Sequence, residues 1–461
     1  MNEPLRHKLF SVYGQILNER TLREAWGKVR SNKGAGGVDG VSIAKFEADL
    51  DANVAALLAD LRAKEYRPSP VRRVRIPKKG GRTRPLGIPT IRDRIVQQAL
   101  VMRMQPFFEE RVFHRDSCGF RPGVGVEDAL RKVVWNLETG CRYVYDFDIR
   151  GYFDNIPHKK LMRTLAKYVS DGTVLDLTWR SLKAGYMEDS VTHETAAGTM
   201  QGGVISPLLA NVYLNELDWG LEKAGLRFVR YADDSIVMCR DEAELERAVI
   251  VVGEVMADLG LELAEEKTYV VDTREGDFDY LGFTFRHMGR GGRYFVAPSE
   301  ASLAKFRSDV KARTRKTRSM SHEQWAEELN PVIRGKFSYF LAANRAVRAV
   351  WEECRRRGMK FHGRAKRTYR QLDAYVRQRL RVNFARRDRR HAGRRDARML
   401  SVRYSNAFFL KEMGLASGQY MADRLRDPTL TPDEFLASQK RRRKWRTDAK
   451  TTAFFGYAYA R

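Results

Sequence analysis

The chain has 461 residues, 43% of them hydrophobic and 31% charged, which suits a folded protein of two or three domains and excludes a disordered one. Its 85 Lys and Arg against 58 Asp and Glu leave a net charge of +27, so the expected partner is a polyanion, nucleic acid before an anionic membrane. With no apolar run of about 18 residues, no secretory stretch in MNEPLRHKLFSVYG and four cysteines without CxxC spacing, the chain is expected to have no membrane span, disulfide framework or cysteine zinc site, and to work in the cytoplasm.

From Glu19 to about Arg67 the pattern is helical, interrupted by the glycine-rich NKGAGGVDG (Asn32–Gly40). That insert lacks the GxxxxGK[ST] arrangement of a phosphate loop and reads as an ordinary flexible loop. VRRVRIPKKGGRTRPLGIP (Val71–Pro89) predicts two strands joined at KKGG, and RDRIVQQALVMRMQPFFEE predicts a helix. RYVYDFDI (Arg142–Ile149) alternates strictly, with Tyr143, Tyr145, Phe147 and Ile149 on one face and Val144, Asp146 and Asp148 on the other. Helices are predicted over 158–170, 173–186 and 207–224, a hairpin around RYADDSIVMC (Arg230–Cys239), a helix over Glu242–Leu259 and short strands through 269–296. This interleaving predicts an α+β fold around a mostly antiparallel sheet.

After about Glu300 strand signals fade. Ser321 and Gln324 form a capping box, as do Thr431 and Glu434, with Pro432 at the first helical position. Arg345–Arg398 holds 20 Lys and Arg against 5 Asp and Glu, with aromatics and leucines interleaved, so it can fold while presenting a basic face. The tail runs into QKRRRKWR (Gln439–Arg446).

Asp233 and Asp234 sit between two apolar strands. Alone, an Asp-Asp pair reads as a turn. Beside Asp148 at the end of its own strand, the pair completes a trio of acids that would repel one another unless cations fill the gap. Hard divalent ions with oxygen ligands suit such a gap, Mg²⁺ first when phosphates share the coordination. Asp146 is the rival on the same face. The histidines, among them His114, His158 and His193, show no ligand spacing.

DIRGYFD (Asp148–Asp154), GTMQGGVISPLLANVYLNELD (Gly198–Asp218) and RYADD, in this order, resemble the core of a group II intron-encoded reverse transcriptase. Flanking segments resemble it too: IPKKGGRTRPLGIP the fingers strands, SCGFRPGVG (Ser117–Gly125) a segment in which Cys118 stands where Tyr is usual, LGLELAEEKT and FDYLGFTF the last palm motifs and primer grip, and NPVIRGKFSYF with LDAYVRQRLR the thumb/maturase region. The resemblance runs over roughly residues 20–385 and implies a right-hand polymerase: an N-terminal extension and the start of the fingers over 1–70, fingers and palm over 71–296, a helical thumb/maturase domain over 297–400 and a basic region over 401–461 that binds DNA or RNA or is simply solvated.

The resemblance also implies roles. Asp148, Asp233 and Asp234 would hold two Mg²⁺ ions, with Mn²⁺ a substitute. Lys78 and Arg84 would contact the triphosphate, and Phe153 would lie beneath the sugar and select deoxynucleotides. Gln201 and Gly202 would touch the templating pair, and Tyr231 and Ala232 the primer terminus. Lys267 would protonate the leaving pyrophosphate or pair with Glu265 or Glu266. The expected partners are a structured intron or non-coding RNA template, a DNA primer or target and dNTPs, with the protein a monomer or homodimer. The expected activity is RNA-directed DNA synthesis together with help in intron splicing and retrohoming. A host-adopted role in phage defence or DNA repair is the alternative. The family's DNA-cutting module, with its paired cysteines, has no counterpart after Cys354.

Overall fold

In a computed structural model that describes residues 8–77, 83–287, 294–315, 320–365, 369–392 and 403–440, the chain forms two units, Met1–Thr273 and Arg274–Arg461.

The first unit begins with helices Val12–Ile16, Glu19–Ser31, Ile43–Ala48 and Leu50–Arg62. The second of these starts where Asn18 accepts a hydrogen bond from the Arg20 amide, and it buries Leu22, Ala25, Trp26 and Val29 at helical spacing. The glycine-rich segment after it is anchored: Arg72 donates to the Gly36 carbonyl at 2.8 and 3.1 Å, and Arg94 donates to Ala35. Strands β1 (Val71–Pro77) and β2 (Thr83–Ile88) pair antiparallel, and their junction lies outside the described residues.

The central sheet is built from β3 (Tyr143–Phe147), β6 (Arg227–Tyr231), β7 (Asp234–Cys239) and β8 (Tyr269–Asp272), in the order β6-β7-β3-β8, every pair antiparallel. The short strands β4 (Tyr186–Glu188) and β5 (Val191–His193) extend the β1–β2 pair instead, in the order β2-β1-β4-β5. The predicted alternation is realised: Tyr143, Tyr145, Phe147 and Ile149 enter one apolar core with Phe228, Val237 and Cys239, against helices Ser206–Lys223 and Glu242–Leu259. The opposite face of the same strands carries Asp146 and Tyr231. Antiparallel partners share a face, so Asp146, Asp234 and Tyr231 lie on the side opposite that core, together with the buried Val144, Val229, Ile236 and Met238.

In the second unit, β9 (Phe278–Tyr280), β10 (Phe283–His287), β11 (Tyr294–Pro298) and β12 (Gly363–Ala365) form a sheet ordered β12-β11-β10-β9. Helices Glu300–Arg313, His322–Arg356 and Tyr369–Ala392 accompany it. The boundary drawn from sequence at 296/297 differs from the division at 273/274. The reason is packing: the Tyr339 hydroxyl donates to the Leu281 carbonyl at 2.6 Å, and its ring stacks on Phe283 at 5.4 Å, which ties the small sheet to the long helix. Strand β12 carries no sequence signal of its own; it exists by pairing with β11. Both capping boxes form as read, at Ser321/Gln324 and Thr431/Glu434. The basic run QKRRRKWR lies outside the described residues beyond Lys440. Among the described residues, no helix is long and apolar enough to cross a membrane.

Candidate active site

Strand register brings the acids together. The last β3–β7 pair is Phe147 with Ser235, so one further step sets Asp148 opposite Asp234. Directly opposed residues of an antiparallel pair have Cβ atoms about 4.5–5.5 Å apart. Asp234 itself pairs with Tyr231, which makes the turn of the hairpin Ala232-Asp233. This corrects the reading of Asp-Asp as the turn: only Asp233 is a turn residue, and Asp234 begins β7. Ala232 adopts φ +61°, a left-handed conformation that costs an L-residue roughly 1–2 kcal/mol.

The electrostatics follow from crowding. Burial pushes the Asp234 carboxyl up to about 6, with Asp233, Asp148 and Asp146 adding repulsion. Burial also raises Asp233, against its own backbone hydrogen bond; Asp148 raises it further, while Arg84 and Lys267 oppose. The Lys267 ammonium pairs with the Asp148 carboxylate, not with Glu265 or Glu266. Asp146 is pushed up to about 6 by burial, while the Tyr269 hydroxyl donates to it at 2.7 Å. Asp146 lies two residues short of the point opposite Asp234, and Asp148 sits at it. Among the described residues, no group of three His, Cys, Asp or Glu side chains stands close enough to enclose a metal ion as it is. The donor set nonetheless fits a hard divalent cation. It consists of carboxylate oxygens alone, carried by the hairpin turn, the start of β7 and the residue after β3, and their mutual repulsion is partly relieved by a lysine at Asp148.

The loop before the Ser206–Lys223 helix is fixed against β2. The Gly87 amide donates to the Gln201 carbonyl at 2.7 Å, and a Cβ on Gly202, at φ +114°, would lie 2.4 Å from the Gly87 oxygen. Only glycine permits that approach. Arg84 Nε donates to Gln201 Oε1 at 2.5 Å, and Gln201 Nε2 to Asp154 at 3.4 Å. The amide of Thr199 donates to the Phe153 carbonyl at 2.7 Å, which ties the same loop to the segment after Asp148. The Phe153 ring is 8% exposed and meets Phe120 edge-on at 5.9 Å. Ala232 is buried and Tyr231 half-buried beside the acids. Lys78 lies outside the described residues.

Sequence reading missed three positions. Gln97 Oε1, on the buried side of the Ile91–Arg111 helix, accepts the Val204 amide at 2.8 Å. A Cβ on Gly119 would sit 2.1 Å from the Ala232 nitrogen, so this glycine is packed onto the turn. Arg230 is fully buried and pairs with the equally buried Asp218. The signal for Arg230 was available: it shares a face with Phe228, which makes it a cation at a core position of an alternating strand.

Comparison with known proteins gives a consistent picture. The family "Reverse transcriptase (RNA-dependent DNA polymerase)" matches residues 76–285. The chain is 43% identical over 209 residues to Protein YkfC of Escherichia coli (strain K12), covering 44% of this chain and 55% of that protein. It is 35% identical over 226 residues to the group II intron-encoded protein LtrA of Lactococcus lactis subsp. cremoris, covering 49% and 37%. Over 220 residues it is 33% identical to a 91 kDa protein in the cob intron of Schizosaccharomyces pombe, covering 46% and 26%. The chain thus spans about half or less of the length of the relatives it matches.

Proposed function

From a chain that carries a reverse transcriptase domain related to those of group II intron-encoded proteins, we propose an RNA-directed DNA polymerase that transfers dNTPs onto a primer 3′-hydroxyl. The observation that carries the reading is the register of β3 on β7, which sets Asp148 beside the Asp233–Asp234 corner. Binding alone gives no reason to crowd several carboxylates at one strand edge; phosphoryl transfer does.

Reverse transcriptases as a family depend on magnesium. Asp148, Asp233 and Asp234 are the residues that would hold it, as two ions with Mn²⁺ a possible substitute. Bound there, the metal supplies Lewis acidity toward the primer hydroxyl and charge stabilisation toward the departing pyrophosphate. The rest is the work of the chain's own groups. Arg84 and Lys78 supply cationic donors to the triphosphate, the first as a fork and the second as a point charge. Phe153 closes the space beneath the sugar, where a 2′-hydroxyl would stand. The Gln201–Gly202 backbone, steadied on Gly87, borders the templating pair. Tyr231 and Ala232 border the primer end, the small side chain at 232 leaving room for the nucleic-acid backbone. Lys267 is within reach to give its proton to pyrophosphate once it leaves Asp148.

The second unit's helices, with the basic stretch 345–398, serve as a thumb that grips the template–primer duplex by phosphate contacts. The intron-encoded relatives support a structured intron RNA as the natural template and a role in splicing. Primer extension on an RNA template with Mg²⁺ tests the reading. Asp233→Asn should abolish synthesis while template–primer affinity stays within about threefold of wild type. Continued synthesis by that variant would remove the assignment.

A further inference from the structure

We infer that the buried Arg230–Asp218 ion pair, with Asn211, is a positioning device: it clamps the Ala232–Asp233 turn from the core side and so aims the Asp233 carboxylate. This rests on the polymerase reading and adds to it a set of residues that touch no substrate.

The guanidinium is fully committed. Arg230 Nε donates to Asp218 Oδ1 at 2.7 Å, and Nη2 donates to the other carboxylate oxygen at 2.5 Å. Nη1 donates both to Asn211 Oδ1 and to the carbonyl of Ala232, each at 2.9 Å. That carbonyl belongs to the peptide leading into Asp233, so the bond fixes the plane from which Asp233 departs. Asn211 then reaches across with Nδ2 to the Gly119 carbonyl at 2.8 Å. Gly119 lies against the turn, and the strand before the turn is held on the same side: Cys118 donates to the Arg230 carbonyl at 2.7 Å, and the Arg230 amide to Asp116 at 3.0 Å. Three segments distant in sequence, 116–119, the Ser206–Lys223 helix and β6, thus meet on one two-residue turn.

Stability alone is a poor reason for this arrangement. A buried ion pair is generally no more stabilising than apolar residues of the same volume, because both charges must be stripped of water. What it supplies here is direction. Ala232 occupies a backbone conformation that needs surrounding structure to hold it, and the guanidinium fork is rigid and always charged. The same strand therefore carries a cation toward the core at 230 and leads, three residues on, to an anion facing the reaction.

The test uses the full chain and three variants: Asn211→Ala, the charge-free double variant Arg230→Met/Asp218→Leu, and Asp233→Asn as control. Four quantities are read: Tm, kcat and KM for dNTP in primer extension, and Mg²⁺ affinity of the free protein by calorimetry. Asn211→Ala keeps the ion pair but removes two buried hydrogen bonds, so it should fold with a modestly lowered Tm and a near-wild-type KM, lose about tenfold in kcat and bind Mg²⁺ more weakly. The double variant should lose about 100-fold in kcat, the scale expected when a reacting group is displaced by about an ångström. Wild-type kcat and Mg²⁺ affinity in Asn211→Ala would overturn the inference, whether or not the double variant folds. So would a loss of kcat that follows Tm alone with Mg²⁺ affinity unmoved. Failure of the polymerase reading looks different: the wild type incorporates nothing, or Asp233→Asn remains active, and calorimetry then still decides whether the clamp shapes the acidic corner.

Discussion

Lys267 sets its ammonium on the carboxylate of Asp148, joining the short turn after Ala264 to the end of β3. The lysine is 60% exposed and the aspartate 20%, so the pair is a surface contact that competes with any cation arriving at the acids. The Ala264 amide, 2.8 Å from the Asp148 carbonyl, holds the two segments together independently of that contact.

Removing the ammonium should therefore strengthen cation binding. In Lys267→Ala the apparent Mg²⁺ dissociation constant is expected to fall, by up to about fivefold, the range open to an exposed ion pair. Calorimetry on the free protein measures it, and a constant that rises or stays put would count against competition at Asp148. The maximal rate of synthesis should fall in the same variant, because the proposed proton donor for pyrophosphate is gone.

Phe153 is proposed to govern the choice of sugar. Its ring is wedged against Phe120, so it has little freedom to move aside. Phe153→Val should raise the kcat/KM for ribonucleotides relative to deoxynucleotides by about tenfold or more, since a steric gate lost is discrimination lost. Single-nucleotide incorporation with paired rNTP and dNTP reads this ratio directly. An unchanged ratio would assign Phe153 to the core alone.

Gly202 is expected to tolerate no side chain. Alanine there would need φ +114° and a Cβ 2.4 Å from the Gly87 carbonyl. Strain of that kind is worth about 1–3 kcal/mol, so kcat/KM in Gly202→Ala should fall by about 5- to 150-fold. The change in Tm should be small, because the strain can be released by moving the loop alone.

His158 supplies a pH dependence. Its Nε2 lies 2.7 Å from the Gly198 carbonyl, at the start of the loop that carries Gln201. Burial lowers its proton affinity below the ordinary 6.5, and Lys183 lowers it further, while the bond to Gly198 opposes both. A histidine that binds protons less well folded than unfolded contributes stability in full above 6.5, and that contribution is lost as the pH falls below it. Wild-type Tm should thus decline more steeply than that of His158→Gln between pH 7.5 and about 5. Parallel curves for the two proteins would contradict the assignment.

Much of this was legible in the residues. The strict alternation of 142–149 fixed which face of β3 meets the core, and the helix over Glu242–Leu259 forms with the limits its pattern indicates, capped by Asp241 and ended at Gly260. The trio of acids could be proposed from the resemblance and from the strand patterns beside them: Asp148 follows β3, Asp233 lies in the turn and Asp234 begins β7. What could not be read was pairing. The alternation sets Arg230 on the core face, but nothing in the residues names its partners until Asp218 and Asn211, on a helix elsewhere in the chain, are brought beneath it. The turn was misplaced by one residue because alanine gives no sign of a left-handed backbone. The glycine-rich segment at 32–40 read as free, yet Arg72 and Arg94 fasten its carbonyls; two arginines far along the chain carry no mark of that task. Strand β12 and the division at 273/274 are likewise products of tertiary packing.

The opposed faces of the β6–β7 hairpin impose a parity rule on its length. Side chains alternate along a strand, so losing or gaining one residue between Arg227 and Cys239 would exchange what points inward and outward beyond that point. Asp234 would be driven into the oil while Ser235 took its place before the substrate. Deletions or insertions of two would spare the alternation. Libraries of length variants across this hairpin should accordingly yield survivors only in even steps.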